Sequence, residues 1–173
     1  MLYNGFGEHN IQGIGDKHVP YIHNVMGTDY VIAVSDHATD GLSMVYNTTA
    51  GRSYLAGRKG LDQETLASLG NLGLSSICNI LGAIKYAKYN DLGPDDVVLS
   101  VATDGADLYQ TELGHAEKKY FSGGFDEMAA AETFGRYLLG AGTDNMLELG
   151  RQERERIFNL GYYTWVEQQG KTV

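Results

Sequence analysis

The sequence has one cysteine, two prolines and no apolar run near the roughly 20 residues that a membrane-spanning helix needs. The single cysteine, Cys78, excludes an internal disulfide framework and predicts a cytoplasmic protein, because thiols stay reduced in that compartment. The first residues contain no basic stretch followed by an apolar one, so no signal peptide is predicted. The sequence therefore predicts neither a membrane protein nor a secreted one.

Positive charge is also scarce, since 13 Lys and Arg stand against 22 Asp and Glu and give a net charge of −9. This balance argues against nucleic acids and acidic membrane surfaces as partners. Apolar residues make up 43% of the chain and charged residues 20%, as in ordinary globular proteins. A length of 173 residues is enough to bury one hydrophobic core.

Helices and strands are predicted to alternate in the first two thirds of the chain. Residues 30–34 and 97–102 are short apolar runs rich in β-branched residues, which predicts two buried strands. Ser35 precedes a predicted helix over 37–47, and a second helix is predicted to open at Ser75. This alternation predicts an α/β domain with an open, mostly parallel sheet and flanking helices.

The last third of the chain has a different pattern. Apolar residues recur at helical spacing from Met128 to Leu139 and again from Met146 to Leu160. We therefore predict two regions, an α/β part over residues 1–120 and an all-helical extension over residues 121–173.

Three short segments carry the candidate chemistry. The first is Ile11-Gln12-Gly13-Ile14-Gly15, followed by Val19-Pro20, and the second is Gly73-Leu74-Ser75-Ser76 at a predicted helix start. The third, Thr103-Asp104 with Tyr109 close behind, follows the second predicted strand. Taken alone, a tight turn explains the first segment and a pair of helix N-caps explains the second.

Taken together, these segments resemble the cofactor-facing loops of the cysteine synthase and cystathionine β-synthase family. That family consists of pyridoxal-phosphate (PLP) enzymes of fold type II, so the resemblance implies that residues 1–120 are the carboxyl-terminal part of such a domain. It also implies that Ser75 hydrogen-bonds the pyridine nitrogen of PLP and that Asp104 shapes the same side of the ring. Gly13 and Gly15 would line the substrate side of the ring.

The resemblance further implies a reaction and a substrate class. A hydroxyl partner such as Ser75 does not force a proton onto the ring nitrogen, which favours loss of a β-substituent over long-lived carbanion chemistry. The implied reaction is β-elimination or β-replacement on a serine- or cysteine-like amino acid. Residues in contact with this small substrate would be Gly13, Ile14 and His18. His18 and His23 share no helical face, and no metal site is predicted there.

The parts of the family that precede these loops have no counterpart in this sequence. They include the lysine that forms the Schiff base with PLP, the loop that holds the substrate carboxylate and the glycine-rich phosphate cradle. Lys17 lies in the first loop, but the family's lysine lies elsewhere, so no catalytic residue is assigned. We therefore expect the chain to be inactive alone and to complete, or derive from, a longer enzyme whose amino-terminal half is missing here. The complete enzyme is expected to be a homodimer.

Two alternatives remain open at this point. The chain could be a non-catalytic α/β binding or subunit-interaction domain that keeps the loops as structural turns. It could also belong to a PLP enzyme of the threonine dehydratase or diaminopropionate lyase type. An open crevice at Ser75 would favour an enzyme, whereas burial of Ser75 without a cavity would favour the interaction domain.

Overall fold

The computed structural model describes residues 9–11 and 18–172, and most of these residues are helical. A two-stranded antiparallel sheet, β1 with β2, accompanies the helices, and Tyr30 lies opposite Glu148 in its register. Single turns of 3-10 helix lie at Val25–Gly27, Leu69–Asn71 and Ala106–Tyr109, and π-helical turns at Gly135–Leu139 and Tyr163–Gln168. In chain order the α-helices and strands of this part are β1 Tyr30–Ile32, α1 Asp36–Asn47, α2 Thr49–Lys59, α3 Gln63–Ser68, α4 Leu74–Tyr89, α5 Gln110–Tyr120, α6 Glu127–Phe134, β2 Met146–Glu148 and α7 Arg151–Tyr162.

The predicted open, mostly parallel sheet with flanking helices, part of a fold type II domain, is wrong for this structure. The first predicted strand forms only over Tyr30–Ile32, and its partner is Met146–Glu148, which lies in the region predicted to be all helical. The second predicted strand, residues 97–102, does not form. An apolar run shows that a segment favours burial, but a strand also needs a neighbour for its backbone groups. The described residues provide no such neighbour for 97–102.

The predicted helix over 37–47 is confirmed as α1, and its boundaries have clear causes. Ser35 Oγ accepts a hydrogen bond from the Ala38 amide at 3.2 Å, which caps the first turn. At the other end, the Thr48 hydroxyl donates to the carbonyl of Met44 at 2.7 Å. The same oxygen accepts from the Gly51 amide at 3.1 Å. Thr48 therefore ends α1 and starts α2.

The chain divides into two compact units. One comprises Val34–Thr143, and the other comprises Met1–Ala33 together with Asp144–Val173. The boundary predicted at residue 120 stays a prediction.

The unit formed by Val34–Thr143 has a hydrophobic core between its helices. Burial of each large side chain in this core contributes about 1.5–3 kcal/mol relative to exposure. The innermost of these core residues are Leu42, Val45, Leu55, Ile77, Leu81 and Ala130.

The other unit has a smaller core of Val19, Val25, Leu149 and Ile157 around the β1–β2 pair. The Arg154 side chain is fixed on one flank of this core. Its guanidinium donates to Asp29 Oδ1 at 2.6 Å and to the Thr28 carbonyl at 2.8 Å. Because the Asp29 carboxylate is exposed to solvent, the Arg154–Asp29 ion pair contributes only modestly to stability.

Within the residues that the structure describes, each helix taken singly is too short or too polar to cross a membrane. One pair, Gln63–Asn71 with Leu74–Tyr89, has the necessary length and composition when its members are joined, but it is bent by 106°.

Candidate functional site

The first turn of α4 places Ser75 and Ser76 inside the helix and not at its cap. Gly73 is the N-cap, and both serine side chains are buried behind it, with Ser75 0% exposed. The interpretation of Ser75 and Ser76 as a pair of N-caps is therefore wrong. Among the residues that the structure describes, the Ser76 hydroxyl has no hydrogen-bond partner.

Gly73 allows the segment around Asp104 to approach this turn closely. The Gly73 amide donates to the carbonyl of Asp104 at 2.9 Å. A Cβ atom at Gly73 would lie 2.7 Å from Asp104 Oδ1 and 2.8 Å from its carbonyl oxygen, closer than any side chain tolerates. Glycine at this position therefore brings Asp104 against the start of α4.

Four side chains form a hydrogen-bonded cluster there, which we call the Ser75 network: Ser75, Thr103, Asp104 and Tyr109. Ser75 Oγ lies 2.6 Å from Thr103 Oγ1 and 3.2 Å from Asp104 Oδ1. Thr103 Oγ1 lies 3.0 Å from the same Asp104 oxygen. The Tyr109 hydroxyl donates to Asp104 Oδ2 at 2.7 Å. Three hydroxyl groups thus converge on one carboxylate.

The electrostatics of the Ser75 network favour an ionised carboxylate and a protonated phenol. The hydrogen bond from Tyr109, together with those from Thr103 and Ser75, lowers the pKa of Asp104. Burial and the contact with Asp104 raise the pKa of Tyr109 to about 12. The partial positive charge at the start of α4 also favours a negative group at this place.

The proton of Ser75 has two possible destinations, because either oxygen of the Ser75–Thr103 pair can be the donor. When Ser75 donates to Thr103, Thr103 donates on to Asp104. When Thr103 donates to Ser75, the Ser75 proton is available to Asp104 or to another acceptor. The Ser75 network can therefore supply a neutral hydroxyl donor without a change in its total charge.

The structure brings together two of the predicted site residues, Ser75 and Asp104, which are 29 positions apart in the chain. Gly13, Ile14 and Gly15 lie outside the described residues. His18 belongs to the other compact unit, where its ring meets Trp165 edge-on at 6.4 Å between centroids.

Comparison with known proteins neither supports nor contradicts the predicted roles of Ser75 and Asp104. No protein-family model, curated protein or solved structure matches the chain. The resemblance to the cysteine synthase family therefore stays a prediction, and so do the enzyme class and PLP.

Two cavities of the described part of the chain are formed without the side chains of the Ser75 network. One is a small apolar pocket of about 120 Å³, and the other is an open groove of about 660 Å³. Ser75, Thr103, Asp104 and Tyr109 line neither cavity. The pocket lies between the turn after Val19 and α7 and includes Tyr21, His23, Phe158, Tyr162 and Trp165. The groove includes Thr48, Ser53, Glu117, Phe125 and Glu127.

Of the groups that PLP binding requires, the described residues contain a candidate hydroxyl, that of Ser75, but this side chain is 0% exposed. They do not show the lysine. Lys85 follows Ser75 on α4 by ten residues, which places it about 15 Å further along the helix axis. Its ammonium group donates to the carbonyl of Gly142 at 3.2 Å. We therefore assign no covalent step to Lys85. No group of three or more metal-ligating side chains occurs among the residues described.

Sequence reasoning missed the part that Thr103 and Tyr109 play in the Ser75 network. Both residues were visible as the polar flank of the apolar run 97–102, next to Asp104 and five residues beyond it. Their hydrogen bonds depend on contact with α4, which no local pattern specifies.

Proposed function

We propose that this chain supplies the ring-nitrogen side of a PLP-dependent enzyme that carries out β-elimination or β-replacement on a serine- or cysteine-like amino acid. The observation that supports the proposal is the contact of Ser75 Oγ with Asp104 Oδ1 at 3.2 Å. The resemblance to cysteine synthases implied, for each of these residues separately, a place on that side of the cofactor.

The chemistry of the Ser75 network suits this role. PLP supplies the electron sink when it is bound, and the protein adjusts how strongly the ring withdraws electrons. Ser75 donates a neutral hydrogen bond when Thr103 turns its own proton toward it. Asp104 carries the negative charge and lies behind the Ser75 hydroxyl, so the group that faces the ring is a hydroxyl and not a carboxylate.

The proposed enzyme needs a second polypeptide segment for the Schiff-base lysine and the phosphate cradle. Ser75 is 0% exposed in this structure, so assembly also has to open a path to its hydroxyl. The active form is therefore an assembly that contains this chain and not the chain alone.

Burial of Ser75 also favours a second candidate function, a non-catalytic subunit-interaction domain. Its hydroxyl already has protein partners, Thr103 and Asp104, and its side chain is 0% exposed. In this alternative the Ser75 network only holds the segment after residue 102 against α4.

A visible-absorbance titration with PLP distinguishes the two functions. The chain is titrated alone and after mixing with the amino-terminal half of a cysteine synthase, in the wild type, Ser75→Ala and Ser76→Ala. Ser76 is the matched control, because it is buried in the same turn and its hydroxyl has no partner. The proposal expects a shifted PLP band only in the mixture, altered by Ser75→Ala and unchanged by Ser76→Ala.

The same titration can contradict the proposal. A mixture that forms a complex by sedimentation, but shows no PLP band or shows the same band in both variants, would assign the chain to the interaction function. A band with this chain alone, traced to one lysine by borohydride reduction and mass spectrometry, would instead mean that the chain contains its own Schiff-base residue.

A further inference from the structure

Residues 97–102, which we call the apolar segment, are exposed and belong to no helix or strand in the stretch between α4 and α5. Val97 is 81% exposed and Leu99 is 91% exposed, while Val98 and Val101 are also exposed. Runs of exposed large apolar side chains are uncommon on soluble surfaces and mark contact sites. Isolated exposed apolar residues need no such explanation, but these four belong to one stretch of six residues.

The backbone of the apolar segment has almost no hydrogen-bond partners in the part of the chain that the structure describes. Among the described residues, the one hydrogen bond to its backbone is from Asn79 Nδ2 to the Val101 carbonyl, at 2.9 Å. This bond holds the segment beside α4, and its other amides and carbonyls have no hydrogen-bond partner among the residues described. Unpaired backbone groups on an extended segment are a template for strand pairing.

The side chains show what kind of neighbour the segment needs. Paired as a strand, the segment would place alternate residues on opposite sides, with Val97, Leu99 and Val101 on one side and Val98, Ser100 and Ala102 on the other. One side is entirely apolar and the other is apolar except for Ser100, which is close to the pattern of strands that are covered on both faces. A six-residue length is also ordinary for a strand.

The charged residues around the apolar segment indicate what kind of polypeptide can pair with it. The stretch 90–109 between α4 and α5 carries five acidic residues and no lysine or arginine. Its acidic residues are Asp91, Asp95, Asp96, Asp104 and Asp107. A neighbour with lysine or arginine beside its apolar positions complements this stretch, whereas an acidic neighbour is repelled.

The same charges disfavour a second copy of this chain as the neighbour. Antiparallel pairing of two apolar segments, with Val97 opposite Ala102, places Asp95 of each copy opposite Asp104 of the other. Parallel pairing in register places Asp95 and Asp96 beside their own copies. Like charges directly opposite each other destabilise a strand pair.

We propose that the apolar segment pairs, as an added β-strand, with the exposed edge strand of another polypeptide that carries basic residues beside its apolar positions. Backbone hydrogen bonds supply the contact, and the charges select the partner. This inference does not depend on PLP or on any reaction.

The test uses a synthetic strand peptide as the probe, about ten residues long, with alternating valine and threonine between lysine pairs. Amide hydrogen exchange of residues 97–102 is followed by mass spectrometry, and binding is followed by anisotropy of the labelled peptide. We expect the amides to exchange freely in the protein alone and to slow at least about tenfold at millimolar peptide. A peptide with a central proline, which lacks one backbone donor, should give no protection. A peptide with glutamate in place of lysine should bind about tenfold more weakly or worse.

Matched variants separate strand pairing from general stickiness. Leu99→Asp should abolish peptide binding, whereas Ile22→Asp should leave it unchanged. Ile22 is 93% exposed and lies outside the segment, so it matches Leu99 in exposure. Equal losses in both variants, equal binding of the lysine and proline peptides, or no protection at millimolar peptide would each overturn the proposal. Protection that rises with protein concentration in the absence of peptide would also overturn it, because the partner would then be a second copy.

Discussion

The hydrogen bond from Tyr109 to Asp104 should be a measurable part of the stability of the unit Val34–Thr143. Tyr109→Phe removes a 2.7 Å bond to a carboxylate and leaves the ring in place. Hydrogen bonds to charged groups contribute about 1.5–3 kcal/mol, and Asp104 keeps bonds from Thr103 and Ser75, so we expect a loss of about 1–2 kcal/mol. With a urea slope of about 2 kcal/mol/M, the unfolding midpoint should fall by about 0.5–1 M.

The pH dependence gives this prediction a sign that packing alone does not explain. The bond lowers the pKa of Asp104, so its stabilisation is present above the ordinary aspartate pKa of 3.8 and is lost as pH falls through the lowered folded value. The difference between wild type and Tyr109→Phe should therefore shrink in acid. It should also shrink above pH 10. The pKa of Tyr109 is raised from 10.0 to about 12 in the folded protein, so the wild type loses the stabilisation from this hydroxyl as pH rises from 10 to 12. Tyr163→Phe, an exposed control, should change stability by less than about 0.5 kcal/mol. Equal midpoints for wild type and Tyr109→Phe at pH 7, or a difference that does not change with pH, would refute the reasoning.

Three further experiments test the unit Val34–Thr143. Gly73→Ala should destabilise the protein by about 1–3 kcal/mol, because the new Cβ would overlap Asp104. Gly82→Ala on α4 should stabilise it by up to about 1 kcal/mol, because no atom lies within 4 Å of the new carbon. Urea unfolding of the two variants compares these effects. Cys78 is buried, and burial is the main reason why its pKa is raised to about 11. A thiol reagent at pH 8 should therefore label Cys78 slowly in the native protein and fully in denaturant. Fast labelling of the native protein would contradict its core position. Leu42→Ala should cost about 2–5 kcal/mol by calorimetry or urea, since the side chain is completely buried; a cost below about 1 kcal/mol would show that the core collapses around the change.

The sequence predicted features that depend on neighbours in the chain and failed on those that depend on distant ones. Helix α1 was predictable because Ser35 and the apolar spacing after it act within one turn. The strand predicted at 30–34 forms only over Tyr30–Ile32, where it is half-buried, and its partner Met146–Glu148 lies more than a hundred residues away, where no local pattern indicates it. The error at 97–102 has the same origin, because its composition satisfies a strand and its surroundings do not.

The candidate site shows the same limit. Ser75 and Asp104 were selected through a family resemblance, and their contact was not derivable from spacing. Thr103 enters the Ser75 network through a contact with α4 across 28 positions. The predicted substrate residue His18 belongs to a different compact unit, so its role beside Ser75 and Asp104 stays a prediction.

Thr48 joins two helices through one hydroxyl, and this has a consequence for how the unit opens. The oxygen donates to the last turn of α1 and accepts from the first turn of α2, so the two bonds depend on the position of one side chain. Helices that share a boundary in this way should open together as one cooperative segment and not from separate ends. The junction at residue 48, although it lies at the end of two helices, should then be among the last places in α1 and α2 to lose its structure.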